Sequence, residues 1–145
     1  MEVRRIITGL TVAGKSTAWI DGPATNAVSR RPGHESRLIW VTDTTPAQID
    51  GDFDEGARDI GRPPPPSGTI FRVIEIAPGC VAEMHSTDTI DYVVVIAGEM
   101  EMELETGMVH LSTGDVIVQR GTLHNWVNNG TEPCRLAVVL VDGRR

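Results

Sequence analysis

The sequence has little of several features that define protein classes. Two cysteines in 145 residues are too few for the disulfide framework of a small secreted domain. No apolar stretch approaches the roughly 20 residues needed to cross a bilayer, and no signal-peptide core follows Arg4 and Arg5. Acidic residues outnumber basic ones by 20 to 13. We therefore expect a cytoplasmic protein with neither membrane nor nucleic acid as a partner, because phosphate binding needs clustered positive charge.

Few segments show a convincing helical period. Instead, short segments rich in valine and isoleucine alternate with turn residues, among them 15 glycines and 9 prolines. Many short strands joined by tight turns predict an all-β sandwich or closed barrel. One short helical turn is expected within Pro46–Asp54. The predicted strands are Val3–Ile7, Thr17–Ile20, Leu38–Val41, Thr69–Ile76, Val81–His85, Asp91–Ala97, Glu99–Glu105, Val109–Leu111, Asp115–Gln119, His124–Val127 and Arg135–Val141.

A run of four prolines, Pro63–Pro66, divides the chain. Such a run is stiff and cannot donate ladder hydrogen bonds, so it is interpreted as a spacer over residues 63–68 rather than as a ligand for a proline-recognising domain. Residues 1–62 are predicted to form an N-terminal arm of short strands that packs on the barrel. Residues 69–145 are predicted to form the barrel proper, all within one structural domain.

The segment Glu99–Glu105 alternates glutamate with apolar residues, the period of a half-buried strand. Its four glutamates indicate either a cation site or a solvated outer face, and the second interpretation is favoured because charge blunts edge pairing. Met100 and Met102 then point inward and are candidate pocket-lining residues.

Residues 9–16 satisfy the phosphate-loop pattern G-x4-G-K-[ST]. That loop works only where a helix begins at the lysine and directs its N–H groups at phosphate. Here residues 17–23 indicate a strand followed by a turn, so we predict a hairpin whose loop carries Gly14 and Lys15, and no nucleotide-binding residues.

Two segments carry residues suited to chemistry. His85, Thr87 and Asp91 have the same parity along an extended chain and can share one face, while His124 opens a later strand. A barrel brings such distant strands to one interior point. Two imidazoles and a carboxylate that converge there would hold a divalent metal such as iron(II), nickel, manganese or zinc. Without metal, His85 and His124 would serve as general acid and base.

In these segments the sequence resembles the cupin family. The first cupin motif, G-x5-H-x-H-x3-E-x6-G, is similar to residues 79–98, and the second, approximately G-x5-P-x-G-x2-H-x3-N, is similar to residues 114–128 with an altered turn at Gly121 and Thr122. The positions that match are Gly79, His85, Asp91, Gly98, Gly114, His124 and Asn128. The resemblance implies a double-stranded β-helix with a metal inside, frequently dimeric, in enzymes and binding proteins alike.

Three positions depart from the family pattern. Thr87 replaces the usual second histidine, Asp91 replaces a glutamate, and Arg120 occupies the proline position. Either His85, Asp91 and His124 hold a metal with water in the gap, or the pocket works without metal; the first alternative is favoured.

The resulting prediction is a small-molecule metalloenzyme with His85, Asp91 and His124 as catalytic and metal-binding residues. An oxygenase acting on a small organic substrate, with aromatic compounds among the candidates, is the first choice. The alternatives are a lyase, dehydratase or isomerase that uses histidine acid–base chemistry, and a non-catalytic barrel that binds a small ligand. A homodimer is the expected assembly. Candidate pocket-lining residues are Thr87, Met100, Met102, Trp126 and Phe71.

Overall fold

The computed structural model describes residues 1–145 and confirms an all-β protein. Eleven strands and one 3-10 helix, Glu55–Ala57, account for its regular structure. The strands are β1 (Arg4–Leu10), β2 (Ser16–Pro23), β3 (Ala27–Arg31), β4 (His34–Thr42), β5 (Thr69–Ile76), β6 (Thr89–Ala97), β7 (Glu99–Leu104), β8 (Gly107–Ser112), β9 (Val116–Arg120), β10 (Asn125–Val127) and β11 (Cys134–Asp142). The structure contains no helix long and apolar enough to cross a membrane.

The strands form three antiparallel sheets. The largest has the order β3-β4-β5-β11-β6-β9, a second has the order β10-β7-β8, and β1 pairs with β2 alone. Side chains of the six-stranded and three-stranded sheets meet in one core, which buries apolar surface from both. Both Cys80 and Cys134 are free thiols, and Cys134 is fully buried in this core. The core residues are Ile76, Val93, Val95, Met100, Met102, Leu111, Trp126, Cys134, Leu136 and Val138.

The predicted strand Val81–His85 is wrong. The segment touches the sheet only through two isolated bridges, one to Val127 and one between His85 and His124. The Glu83 carbonyl accepts a hydrogen bond from the His85 ring instead of from a strand partner, and such local bonds compete with a sheet ladder.

Two further expectations differ from the structure in the first half of the chain. The short helical turn lies at Glu55–Ala57, just beyond the predicted Pro46–Asp54, because Asp54 accepts a hydrogen bond from the Gly56 N–H and caps the turn there. Strand β3 was not predicted, since Ala27–Arg31 is mostly polar and lies at the edge of its sheet.

The N-terminal hairpin is confirmed. Thr11 N–H donates to the Lys15 carbonyl, and Gly14 has a φ of +77°, a conformation that favours glycine. The proline run separates β4 from β5, yet these strands pair from end to end in the largest sheet. Residues ahead of the run therefore supply strands to the same sheet as the residues that follow it.

Candidate functional site

His85 and His124 lie side by side, joined by the main chain. Each donates its N–H to the other's carbonyl at 3.0 Å, and their ring centroids are 4.4 Å apart with planes inclined by 55°. The pairing confirms that the two segments singled out in the sequence meet. His124 is 3% exposed, whereas His85 is half-buried and accessible from outside.

The two imidazoles are oriented in the same way. Nδ1 of His85 lies 2.8 Å from the Glu83 carbonyl, and Nδ1 of His124 lies 2.9 Å from the Thr122 carbonyl. A carbonyl only accepts, so each Nδ1 carries a proton, and in the neutral imidazole each Nε2 then keeps its lone pair. A backbone carbonyl on the second nitrogen is the arrangement that orients histidine ligands in metal sites.

A line of hydroxyl groups connects Thr87 to the buried carboxylate of Asp91. The Thr87 and Thr89 hydroxyls are 2.6 Å apart, and Thr89 donates to Asp91 Oδ1 at 2.5 Å. Asp91 is 8% exposed and Thr89 5% exposed. The predicted common face of Thr87 and Asp91 is what the structure shows, while Asp88, of opposite parity, points outward to an ion pair with Arg145.

Burial shifts the protonation of both enclosed groups. Burial raises the pKa of Asp91, against the Thr89 hydrogen bond and the nearby charges of His124 and His85, which lower it. Burial also lowers the pKa of His124, partly offset by its bond to the Thr122 carbonyl. The site therefore favours a neutral imidazole at His124, the form that binds a metal or accepts a proton.

The side chains at the site are of the types that bind metals. Two imidazoles with free Nε2 atoms and a buried carboxylate that lacks a cation suit a divalent transition metal. The geometry is less complete, because no group of three or more histidine, cysteine, aspartate or glutamate side chains is arranged to hold an ion. The imidazole pair is in place, and Asp91 lies within electrostatic reach of both rings.

Three of the candidate pocket-lining residues lie in the core beside the site, and one lies on the other side of the largest sheet. Trp126 packs edge-on against His124 with ring centroids 5.2 Å apart, and Met102 is its register partner on β7. Met100 is buried in the same core. Phe71, in contrast, lies on the opposite face of the largest sheet from Asp91. Val139 on β11 is the register partner of both Phe71 and Tyr92, and Tyr92 faces outward.

Two residues near the site were not identified from the sequence. Thr89 donates a hydrogen bond to the Asp91 carboxylate. Its parity with Thr87 and Asp91 could have predicted that all three side chains share one face. Gln119 is 4% exposed and is the register partner of Asp91 on β9. A partner on another strand leaves no local pattern in the sequence.

Known proteins with similar sequences carry the same domain. A family model described as a cupin domain matches residues 72–141. A cupin-domain-containing oxidoreductase of Neurospora crassa, srdD, is 38% identical over 113 residues, covering 74% of this chain and 58% of the relative. The chain thus spans less than two thirds of that protein. A second oxidoreductase of the same organism, srdB, is 31% identical over 142 residues, covering 95% of this chain and 72% of the relative.

A solved structure shows the same architecture. KdgF from Halomonas sp. superposes with a TM-score of 0.56 at 18% identity, covering 83% of this chain and 88% of that one. This likeness confirms the predicted double-stranded β-helix. With its two motif segments meeting at His85 and His124, and with the sequence matches above, the chain belongs to the cupin family.

Proposed function

We propose that this chain is a metal-dependent oxidoreductase, and specifically an oxygenase that acts on a small organic molecule. The observation that carries the proposal is the pair of adjacent imidazoles with Nδ1 atoms fixed by carbonyls and Nε2 atoms free. Relatives named as oxidoreductases support the same class of chemistry. The proposed ligands are His85, His124 and Asp91.

The residues of the chain have separate tasks in this proposal. His85 and His124 would each supply Nε2 as a ligand, and the Glu83 and Thr122 carbonyls orient the two rings through Nδ1. Asp91 contributes negative charge, and divalent iron bound there would supply redox chemistry with dioxygen. Thr87, where the family has a histidine, leaves room for a substrate oxygen or water.

The test is reconstitution. Protein loaded anaerobically with iron(II), manganese, nickel or zinc is screened for oxygen consumption with small aromatic and aliphatic compounds. Oxygen uptake that depends on both iron and an organic substrate supports the oxygenase. Metal binding without turnover of any compound points to a binding barrel instead.

A second function is favoured by the same geometry. Two imidazoles with centroids 4.4 Å apart and free Nε2 atoms are also suited to exchange protons with one substrate, as a lyase, dehydratase or isomerase requires. Equal substrate conversion by chelator-treated and iron-loaded protein, without oxygen uptake, identifies this chemistry.

Replacing Thr87 with histidine is expected to tighten metal binding by at least roughly tenfold, because a further imidazole enters a site that has only two. The Thr87 side chain already faces the hydroxyl line that leads to Asp91. Calorimetric titration with nickel or zinc measures the change.

The matched control places the new imidazole on the other face. Ser86 is exposed and adjacent in sequence, so Ser86→His should leave the affinity unchanged. Equal affinities for Thr87→His and wild type would show that position 87 does not face the site.

We also propose that the chain is a homodimer formed through the outer face of β6 and β9. This face is apolar and open: Tyr92, Val94, Ile96, Val116 and Val118 are 39–74% exposed, and β9 is an edge strand. Contiguous apolar patches mark interaction sites. A second copy is the occupant that we favour, because the net charge of −7 repels copies elsewhere, whereas the exposed apolar residues of this face include no carboxylate.

Val118→Asp is expected to convert the dimer to a monomer, since it places two buried carboxylates at the two-fold interface. Analytical ultracentrifugation at micromolar protein concentration gives the mass. Val12→Asp, on the exposed tip of the β1–β2 hairpin, is the control and should remain dimeric. A monomeric wild-type chain would contradict the proposal.

A further inference from the structure

Four arginines and a histidine gather at the β3–β4 end of the largest sheet without an ion pair to any carboxylate. We call Arg30, Arg31, His34, Arg62 and Arg72 the arginine cluster. None of its guanidinium groups forms an ion pair, whereas six arginines elsewhere in the chain do. The chain has 20 acidic residues for 13 basic ones, so unpaired arginines do not result from a shortage of acids.

The fold brings the members of the cluster together. Arg31 and His34 are register partners across the turn that joins β3 to β4. Arg72, on β5, is 8% exposed and donates a hydrogen bond to the main-chain carbonyl just before Arg62. Arg30 and Arg62 are exposed. The cluster thus has a buried floor and an accessible rim, as a ligand site needs.

Two buried polar atoms in the cluster have no hydrogen-bond partner. They are Nε of Arg31 and Nδ1 of His34, and only two other side-chain atoms of the molecule are in this situation. His34 is half-buried. Orphaned buried polar atoms are rare because they cost free energy, so they call for an explanation such as a ligand.

The electrostatics agree with a missing anion. Burial, and then the charges of Arg30 and Arg62, lower the pKa of Arg72 to about 10. Burial, and then the charge of Arg31 with smaller effects of Arg62 and Arg30, lower the pKa of His34 to about 4, against the main-chain carbonyl of His34 itself, which raises it. No carboxylate opposes these shifts, which leaves mutually repelling guanidinium groups in close proximity.

Neighbouring carboxylates are engaged elsewhere. Glu35 on β4 pairs with Arg37 at 2.6 Å, and Glu75 on β5 pairs with Arg135 at 2.9 Å. Asp59 makes no ion pair with any member of the cluster. An anion that neutralises the cluster must therefore come from outside the chain.

We propose that the arginine cluster binds the oxyanion group, carboxylate or phosphate, of a small molecule. Guanidinium groups donate pairs of parallel N–H bonds that match both groups in geometry and charge. The exposed Arg30 and Arg62 admit the anion, and Arg72 supplies fixed charge beneath it. This site does not depend on the proposed metal function.

The test compares anions at matched ionic strength. Inorganic phosphate and succinate are titrated into the protein by calorimetry, with sodium chloride as the reference for general screening. Saturable binding of either probe, lost in the double variant Arg30→Gln/Arg62→Gln, supports the site, and the tighter probe identifies the group. Each single variant should weaken binding by about tenfold, since each removes one charge-assisted contact.

A second measurement separates binding from folding. Without anion, Arg62→Gln should unfold at the same or higher temperature than wild type because it relieves repulsion, while its phosphate-induced rise in Tm shrinks. Arg144→Gln, an exposed unpaired arginine at the C-terminus, should bind as wild type does. The proposal is overturned if phosphate and succinate act no more than chloride does, if the double variant binds equally, or if His124→Ala abolishes anion binding.

Discussion

Replacing His124 with alanine is expected to abolish metal binding and, with it, any metal-dependent turnover. Loss of a residue that only hydrogen-bonds to a metal ligand already weakens metal affinity by about 10–100-fold. His124 is itself a proposed ligand and is one of only two imidazoles at the site. Its ring is 3% exposed and held by the Thr122 carbonyl, so no neighbouring histidine can take its place. We expect at least about a 100-fold weaker Kd for nickel or zinc by calorimetry.

His110→Ala is the control for this variant. His110 is exposed and hydrogen-bonded to Glu99 and Glu101 on the outer face of β7, so its removal should leave metal affinity unchanged. Circular dichroism and Tm establish that the His124→Ala barrel is folded. Undiminished metal uptake by folded His124→Ala would mean that the ligands lie elsewhere.

The sequence indicated which segments meet better than it predicted their local structure. Spacing along the chain selected His85, Asp91 and His124 as candidate ligands, and the structure places His85 beside His124. The irregular backbone of Val81–His85 was missed, because it accompanies one local bond from the His85 ring to the Glu83 carbonyl. Sequence patterns do not encode a single side-chain-to-backbone bond.

The arrangement of the first sixty residues shows a second limit. Strand β3 was not predicted, because its polar and apolar residues do not alternate. The buried residues of this strand pair lie on its partner β4. The contacts that fix this region join distant positions. Arg5 on β1 binds Asp54, which is 49 residues away, with bonds of 2.6 and 2.7 Å.

Replacing Asp54 with asparagine is expected to destabilise the protein by about 3 kcal/mol, because it leaves the buried Arg5 charge uncompensated. The Arg5 side chain is 8% exposed and also donates to the Ile39 carbonyl, so water cannot readily replace the lost partner. Asparagine keeps the shape of the side chain and its oxygen for capping the turn at Gly56. Urea denaturation gives the change in the free energy of unfolding, and Tm should fall by roughly 10 °C.

Asp21→Asn provides the matched comparison. It breaks the pair between Arg4 and Asp21, which has two bonds of 2.8 Å but side chains that are 68% and 41% exposed. An exposed pair contributes about 1 kcal/mol or less, so the difference in unfolding free energy between the two variants measures the effect of burial.

The Arg5 guanidinium also holds the pKa of Asp54 below its usual value of 3.8. The pair therefore stabilises the fold above about pH 4 and loses its effect as the pH falls through the lowered pKa. Equal losses for Asp54→Asn and Asp21→Asn would show that the Arg5–Asp54 bond does not anchor the N-terminal hairpin to the barrel.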